Sequence, residues 1–163
     1  MAKRQSLTLT LHIQGARETL RAFGQLPKEA NDALRARSLE LAESLAVKAR
    51  GAGVAEGRQA RLVASTVQAR RDRLPVIVAG GTKRLGRKRT PAFGLLFGSE
   101  FGMDSRSGWY AAPRYDNATG QQYKPHRGRD SYWFFKTADD NQAEISAAWN
   151  RAADDVLRAF GGA

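Results

Sequence analysis

Between residues 81 and 90 the sequence reads GTKRLGRKRT, five cations (Lys83, Arg84, Arg87, Lys88 and Arg89) without an anion. Ammonium and guanidinium groups at this density do one kind of chemistry well: they offset phosphate charge, with no discrimination among bases. Gly86 and the following Pro91 disfavour a recognition helix, so the stretch reads as a hairpin tip or a mobile loop. Unpaired buried charge is too costly to keep, so all five must face solvent, a polyanion or an acidic partner surface.

Residues for bond-making chemistry are scarce. The chain has no cysteine, which removes disulfides, thiol catalysis and thiolate metal sites. It has two histidines, His12 on an expected strand and His126 in an expected loop. Neither has a carboxylate or a second histidine at metal-ligand spacing, so no metal and no cofactor is expected. The acids of the middle section, Glu100, Asp104, Asp116 and Asp130, are too scattered to form a general acid/base pair. GAGVAEG (residues 51–57) has the spacing of neither a dinucleotide fingerprint nor a P-loop and reads as a plain linker. Trp109, Tyr110, Tyr115, Tyr123, Tyr132 and Trp133 could stack bases, although such residues more often fill cores and interfaces. No helix-turn-helix, zinc-finger or RNP pattern is present. The expectation is a protein that is not an enzyme.

The elements that must carry these residues are legible in part. SLTLTLHI alternates Leu7, Leu9, Leu11 and Ile13 against Thr8, Thr10 and His12, a half-buried strand. ARETLRAFGQL is a short helix closed by Gly24 and Pro27. A longer helix runs from Lys28 to about Arg50, with Ala30, Leu34, Ser38, Leu41 and Leu45 on one face, and Gly51 and Gly53 are expected to stop it. ARLVASTVQARRD and LPVIVAGG read as two strands joined at RDRLP. PAFGLLFGSEFG reads as a short helix or turn packed on the sheet. Residues 103–130 are loop-rich. A last helix begins between Asp130 and Asp140 and buries Ile145, Trp149, Ala152, Val156 and Phe160. The expected fold is a single α+β domain over 1–163: an N-terminal strand, a long helix, an antiparallel sheet with a hairpin and basic loop, and a long C-terminal helix.

With 163 residues, 42% of them apolar, the chain can bury a real core. No apolar run approaches the roughly 20 residues of a membrane helix, and the first residues lack a signal-peptide core, so no membrane association is expected. The net charge of +11 is unevenly spread: residues 61–136 hold fifteen basic and five acidic side chains, residues 137–163 two and five. Such asymmetry suits a polyanion footprint, or complementary flanks for packing copies together.

Three stretches, taken in order, carry a resemblance. GRQARLVASTVQARRDRLPVIVAGG (57–81) resembles a segment in which a Gly-x-Leu-x-x-Ser element opens a hairpin; Leu62 and Ser65 stand at the Leu and Ser positions, while Ala60 and Arg61 depart from the usual Thr and Gly. FGLLFGSEFGM contains the recurring Glu-Phe-Gly element as Glu100, Phe101 and Gly102. KPHRGRDSYWFFKTADDNQAEISAAWNRAADDVLRAF resembles a closing aromatic segment and long helix found in phages of actinobacteria. Together they resemble the neck proteins of long-tailed phages, the tail-completion or head-tail joining group of siphophage structural proteins, with the tail-terminator group as near relative.

That resemblance implies an α+β protomer in a ring, usually sixfold, between the head connector and the tail tube. It implies no catalysis, and location in the virion neck after assembly in the host cytoplasm. Partners would be further copies of the chain, the head connector or stopper, and tail-terminator or tail-tube proteins, with transient non-specific contact to genomic duplex DNA in transit. Leu62, Ser65, Glu100, Phe101 and Gly102 would be structural, with Phe101 in the core and Glu100 in a charged contact. The basic loop would line the lumen or join neighbouring subunits. A stand-alone basic DNA-binding protein is the alternative from another class.

Overall fold

A computed structural model of the chain describes residues 6–103 and 123–161. The fold is α+β, with elements in the order β1 (Ser6–Thr10), α1 (Ala16–Phe23), α2 (Lys28–Glu56), α3 (Arg58–Ala64), β2 (Gln68–Arg70), β3 (Val76–Gly80), β4 (Arg84–Leu85), β5 (Thr90–Pro91), α4 (Ala92–Phe101) and α5 (Phe134–Phe160). They gather into two compact units. One takes Thr8–Val47, Gln68–Val78 and the chain from Ala138; the other takes Lys48–Val67 and the described parts of Ala79–Thr137. The division falls within α2 and α5, each of which contributes to both.

The first, here the sheet unit, is built on a three-stranded sheet of order β1-β3-β2. β2 and β3 are antiparallel, with Ala69 opposite Ile77, and residues 71–75 turn between them as RDRLP suggests. The alternation along SLTLTLHI persists beyond the strand proper: Leu11 and Ile13 are buried while His12 is exposed. Leu34 and Leu45 of α2, Ile77 of β3 and Trp149 of α5 are fully buried. Trp149 also makes polar contacts. Its indole Nε1 donates to Ser38 Oγ at 3.0 Å and to the Arg73 carbonyl at 2.8 Å. Ser38 Oγ in turn donates to that carbonyl at 2.7 Å. A helix hydroxyl, a turn carbonyl and an indole thus satisfy one another in a site closed to water, where any one left alone would be penalised.

α5 begins within the expected window and buries Ile145, Trp149, Ala153 and Val156, with Ala152 half-buried. Phe160 departs from expectation and is 40% exposed, because the apolar stripe outruns its cover in the last turn.

In the second, the hairpin unit, two expectations are corrected. α2 does not stop at Gly51 and Gly53 but runs on to Glu56, so GAGVAEG is helix and not linker. The reason is close packing. A Cβ on Gly53 would lie 2.9 Å from Ala64 Cβ and 2.9 Å from the Trp133 ring, so the glycine serves as a contact surface inside the helix. Next, the first strand read in ARLVASTVQARRD is mostly helix α3, which buries Ala60, Val63 and Ala64 at helical spacing, and only Gln68–Arg70 pairs as a strand. Ser65 Oγ donates to the Leu62 carbonyl and Thr66 Oγ1 to that of Val63, ending α3. PAFGLLFGSEFG forms the short helix expected of it, α4, which packs on α3 and β5 of its own unit.

Candidate functional site

The five cations come together on the β4–β5 hairpin. Arg84 pairs with Pro91 and Leu85 with Thr90, and residues 86–89 make the turn, with the Arg89 N–H donating to the Gly86 carbonyl at 3.1 Å. Arg89 takes a positive φ of 50°, uncommon for a side-chain-bearing residue. Arg84 Nη1 donates to its carbonyl at 3.2 Å, tying the two ends of the turn. The hairpin is fixed at its base: Ala92 N–H donates to the Lys83 carbonyl at 2.8 Å and Phe93 N–H to that of Gly81 at 3.0 Å. Its flank rests on α3, where Leu62 Cδ1 sits 3.1 Å from the point a Gly86 Cβ would occupy. Lys83, Arg84, Arg87, Lys88 and Arg89 are all exposed.

Glu100, Phe101 and Gly102 form a joint between α4 and the start of α5. Glu100 is fully buried, and its contact is not with a cation as expected. Its carboxylate accepts the N–H of Phe134 at 2.7 Å and of Phe135 at 2.9 Å. These belong to the first turn of α5, whose N–H groups have no partner within the helix and whose dipole favours an anion. Burial pushes the Glu100 carboxyl above its ordinary value, against the lowering effect of hydrogen bonds from the backbone of Phe135, Phe134 and Trp133 and from the Ser131 hydroxyl.

The neighbours of Glu100 complete the joint. Tyr132 N–H donates to the Glu100 carbonyl at 2.8 Å, and Trp133 Nε1 to Ser99 Oγ at 3.2 Å. Phe101 is half-buried between the rings of Phe97 and Phe135, with centroids 6.0 and 5.9 Å away. Gly102 turns the chain at φ 73°, and a Cβ there would collide with the carbonyl oxygens of Lys124 and Pro125. No other residue fits.

Leu62 and Ser65 lie at the end of α3, just before the β2–β3 hairpin. Of the two histidines, His126 donates Nδ1–H to the Phe101 carbonyl at 2.9 Å, which fixes its tautomer. His12 lies on an open groove of the sheet unit of about 630 Å³, floored by Leu11, Ile13 and Ala16 and rimmed by Arg17, Arg21 and Arg73. Among the described residues no three His, Cys, Asp or Glu side chains converge on one point. Of the aromatics, Trp133 is buried and Tyr123 packs beside Gly98. Arg127 stacks 4.2 Å from the Tyr132 ring centroid, an arrangement no sequence signal announced. Trp109, Tyr110, Tyr115, Asp104 and Asp116 lie outside the described residues.

The units differ in charge. Among the described residues the hairpin unit carries thirteen Lys or Arg against three Asp or Glu, a net of +10, and the sheet unit ten against eleven, a net of −1. Of the three described acids of the hairpin unit, Glu100 is buried and Glu56 pairs with Lys124, which leaves Asp130. Comparison with family models, curated proteins and solved structures finds no match to this chain.

Proposed function

We propose that the chain is a non-catalytic structural subunit of the tailed-phage neck, a head-tail joining or tail-completion protein that assembles into a ring through which DNA passes. The observation that supports it best is the use made of Glu-Phe-Gly, the second of the three stretches that carry the resemblance. All three residues are spent on holding α4 to the start of α5: Glu100 on helix N–H groups, Phe101 in a ring stack, Gly102 in a turn closed to any side chain. A residue set so committed suits a scaffold whose work is to hold shape. A ring of identical copies needs heterologous faces that close on themselves.

The second reading, a stand-alone basic DNA-binding protein, is favoured by the concentration of positive charge in one unit. Solution mass separates the two: the purified chain is expected as a closed oligomer, with six copies the leading expectation. Imaging of virions should place it between connector and tail tube, and a position capping the tail tube before joining would assign it to the tail terminators. A strict monomer absent from particles would overturn the neck reading.

A further inference from the structure

We infer that the β4–β5 hairpin is a sequence-blind contact for the phosphate backbone of duplex DNA. The inference stands apart from the neck reading, since it follows from charge and geometry and not from the resemblance.

Charge balance comes first. None of the five hairpin cations has a carboxylate partner among the described residues. A neighbouring copy can offset only part of this charge, because every copy carries the same net charge of +11. The sheet unit is near neutral, and several of its acids are already engaged: Asp32 by Lys28, Arg35 and Arg71, Glu40 by Arg37, Asp72 by Arg70 and Asp155 by Arg158. An assembly of identical chains therefore keeps an excess of positive charge on every hairpin unit. The counter-charge has to come from a different molecule.

The character of the hairpin then selects that molecule. Protein interfaces use arginine beside apolar and aromatic anchors that exclude water, and they are poor in lysine. The turn Gly86-Arg87-Lys88-Arg89 offers neither kind of anchor, and Leu85, the one large apolar residue of β4, is half-buried. Single-stranded nucleic acid calls for aromatic platforms on which bases stack, and residues 81–91 contain no aromatic. What the hairpin presents is five long cationic side chains on a short ribbon pinned to α3 and α4. A duplex, with one phosphate charge per roughly 1.7 Å of axis, fits that display without any base being read.

Five phosphate contacts predict a slope of log affinity against log salt of about −4.5, so affinity falls about 500-fold between 50 and 200 mM salt. The test is fluorescence anisotropy on the full chain, with two duplexes of unrelated sequence, a single strand and polyglutamate as probes. Equal affinity for the two duplexes is expected, above that for the single strand or polyglutamate. K83Q/R84Q/R87Q/K88Q/R89Q should flatten the slope by about 4 to 5, and the tip pair R87Q/K88Q by about 2, which keeps the test decisive if the fivefold variant fails to fold. R17Q/R21Q/R37Q/R151Q/R158Q removes equal charge from exposed positions of the sheet unit and should change the slope little. R84K/R87K/R89K keeps the charge and should bind as the parent does.

Preference for one duplex sequence, tighter binding of the single strand or of polyglutamate, an unchanged slope in the hairpin variants, or equal loss in the sheet-unit variant would each overturn the inference. None of these outcomes bears on whether the chain forms a ring.

Discussion

Replacing Glu100 separates two effects that the joint combines. In Glu100→Ala, two N–H groups of the α5 first turn lose their acceptor in a site closed to water, at about 1–3 kcal/mol each. The vacated volume adds a cavity term, so a loss of about 3–5 kcal/mol is expected, a large part of an ordinary domain's stability. Glu100→Gln keeps one acceptor oxygen and removes a charge whose burial is already unfavourable, so at pH 7 it should cost only about 1 kcal/mol.

The pH dependence follows from the raised carboxyl pKa. The folded state holds this proton more tightly than the unfolded chain, so the group's contribution is fully present below its ordinary value of 4.5. It is lost as pH rises through the folded value. The advantage of the native glutamate over the Glu100→Gln variant should therefore be largest in acid and shrink toward neutrality. Urea denaturation of the three proteins at a series of pH values measures this directly. If Glu100→Ala cost under about 1 kcal/mol, the joint would carry no stability. If the advantage of Glu over Gln instead grew with pH, the hydrogen bonds would outweigh burial and the reasoning on charge would be wrong.

Trp149→Ala should cost about 3–5 kcal/mol in the same assay, because the side chain is fully buried. Trp149→Phe should cost less, about 1–2 kcal/mol, since Ser38 and the Arg73 carbonyl keep each other. Gly51→Ala and Gly53→Ala, two residues apart in one helix, should differ in sign. The first meets open space and gains about 0.5–1 kcal/mol in thermal melts. The second meets Ala64 and Trp133, and crowding of about 1–3 kcal/mol should exceed any helix-propensity gain.

What the sequence made legible was set by how local the cause is. α5 could be read because Ile145, Trp149 and Val156 repeat at the helical period over many turns, and β1 because Leu7 to Ile13 alternate without interruption. The hairpin followed from Gly86 and Pro91 flanking charges that resist burial. α3 was misread because Val63, Thr66 and Val67 are β-branched, and so short a run fits either period. The end of α2 was misplaced because glycine propensity is a weak prior, here overridden by Trp133, a residue 80 positions away from Gly53. Glu100 was expected to meet a cation, since a charge in a basic neighbourhood invites that. Its actual partners are the first N–H groups of a helix that starts 34 residues later, beyond any local capping rule.

The Ser38–Arg73–Trp149 cluster has a consequence for how the chain is made. Trp149 follows Ser38 by 111 residues, so at about 5–20 residues per second the indole emerges roughly 6–22 s after the hydroxyl it binds. Through that interval the rest of α2, then β2 and β3, are synthesised, yet the sheet unit has no lid over the site where Trp149 will lodge. The earliest-made core is thus among the last to close. During synthesis its apolar face is open to chaperones, and to other nascent copies of the same chain, for far longer than a small domain needs to fold.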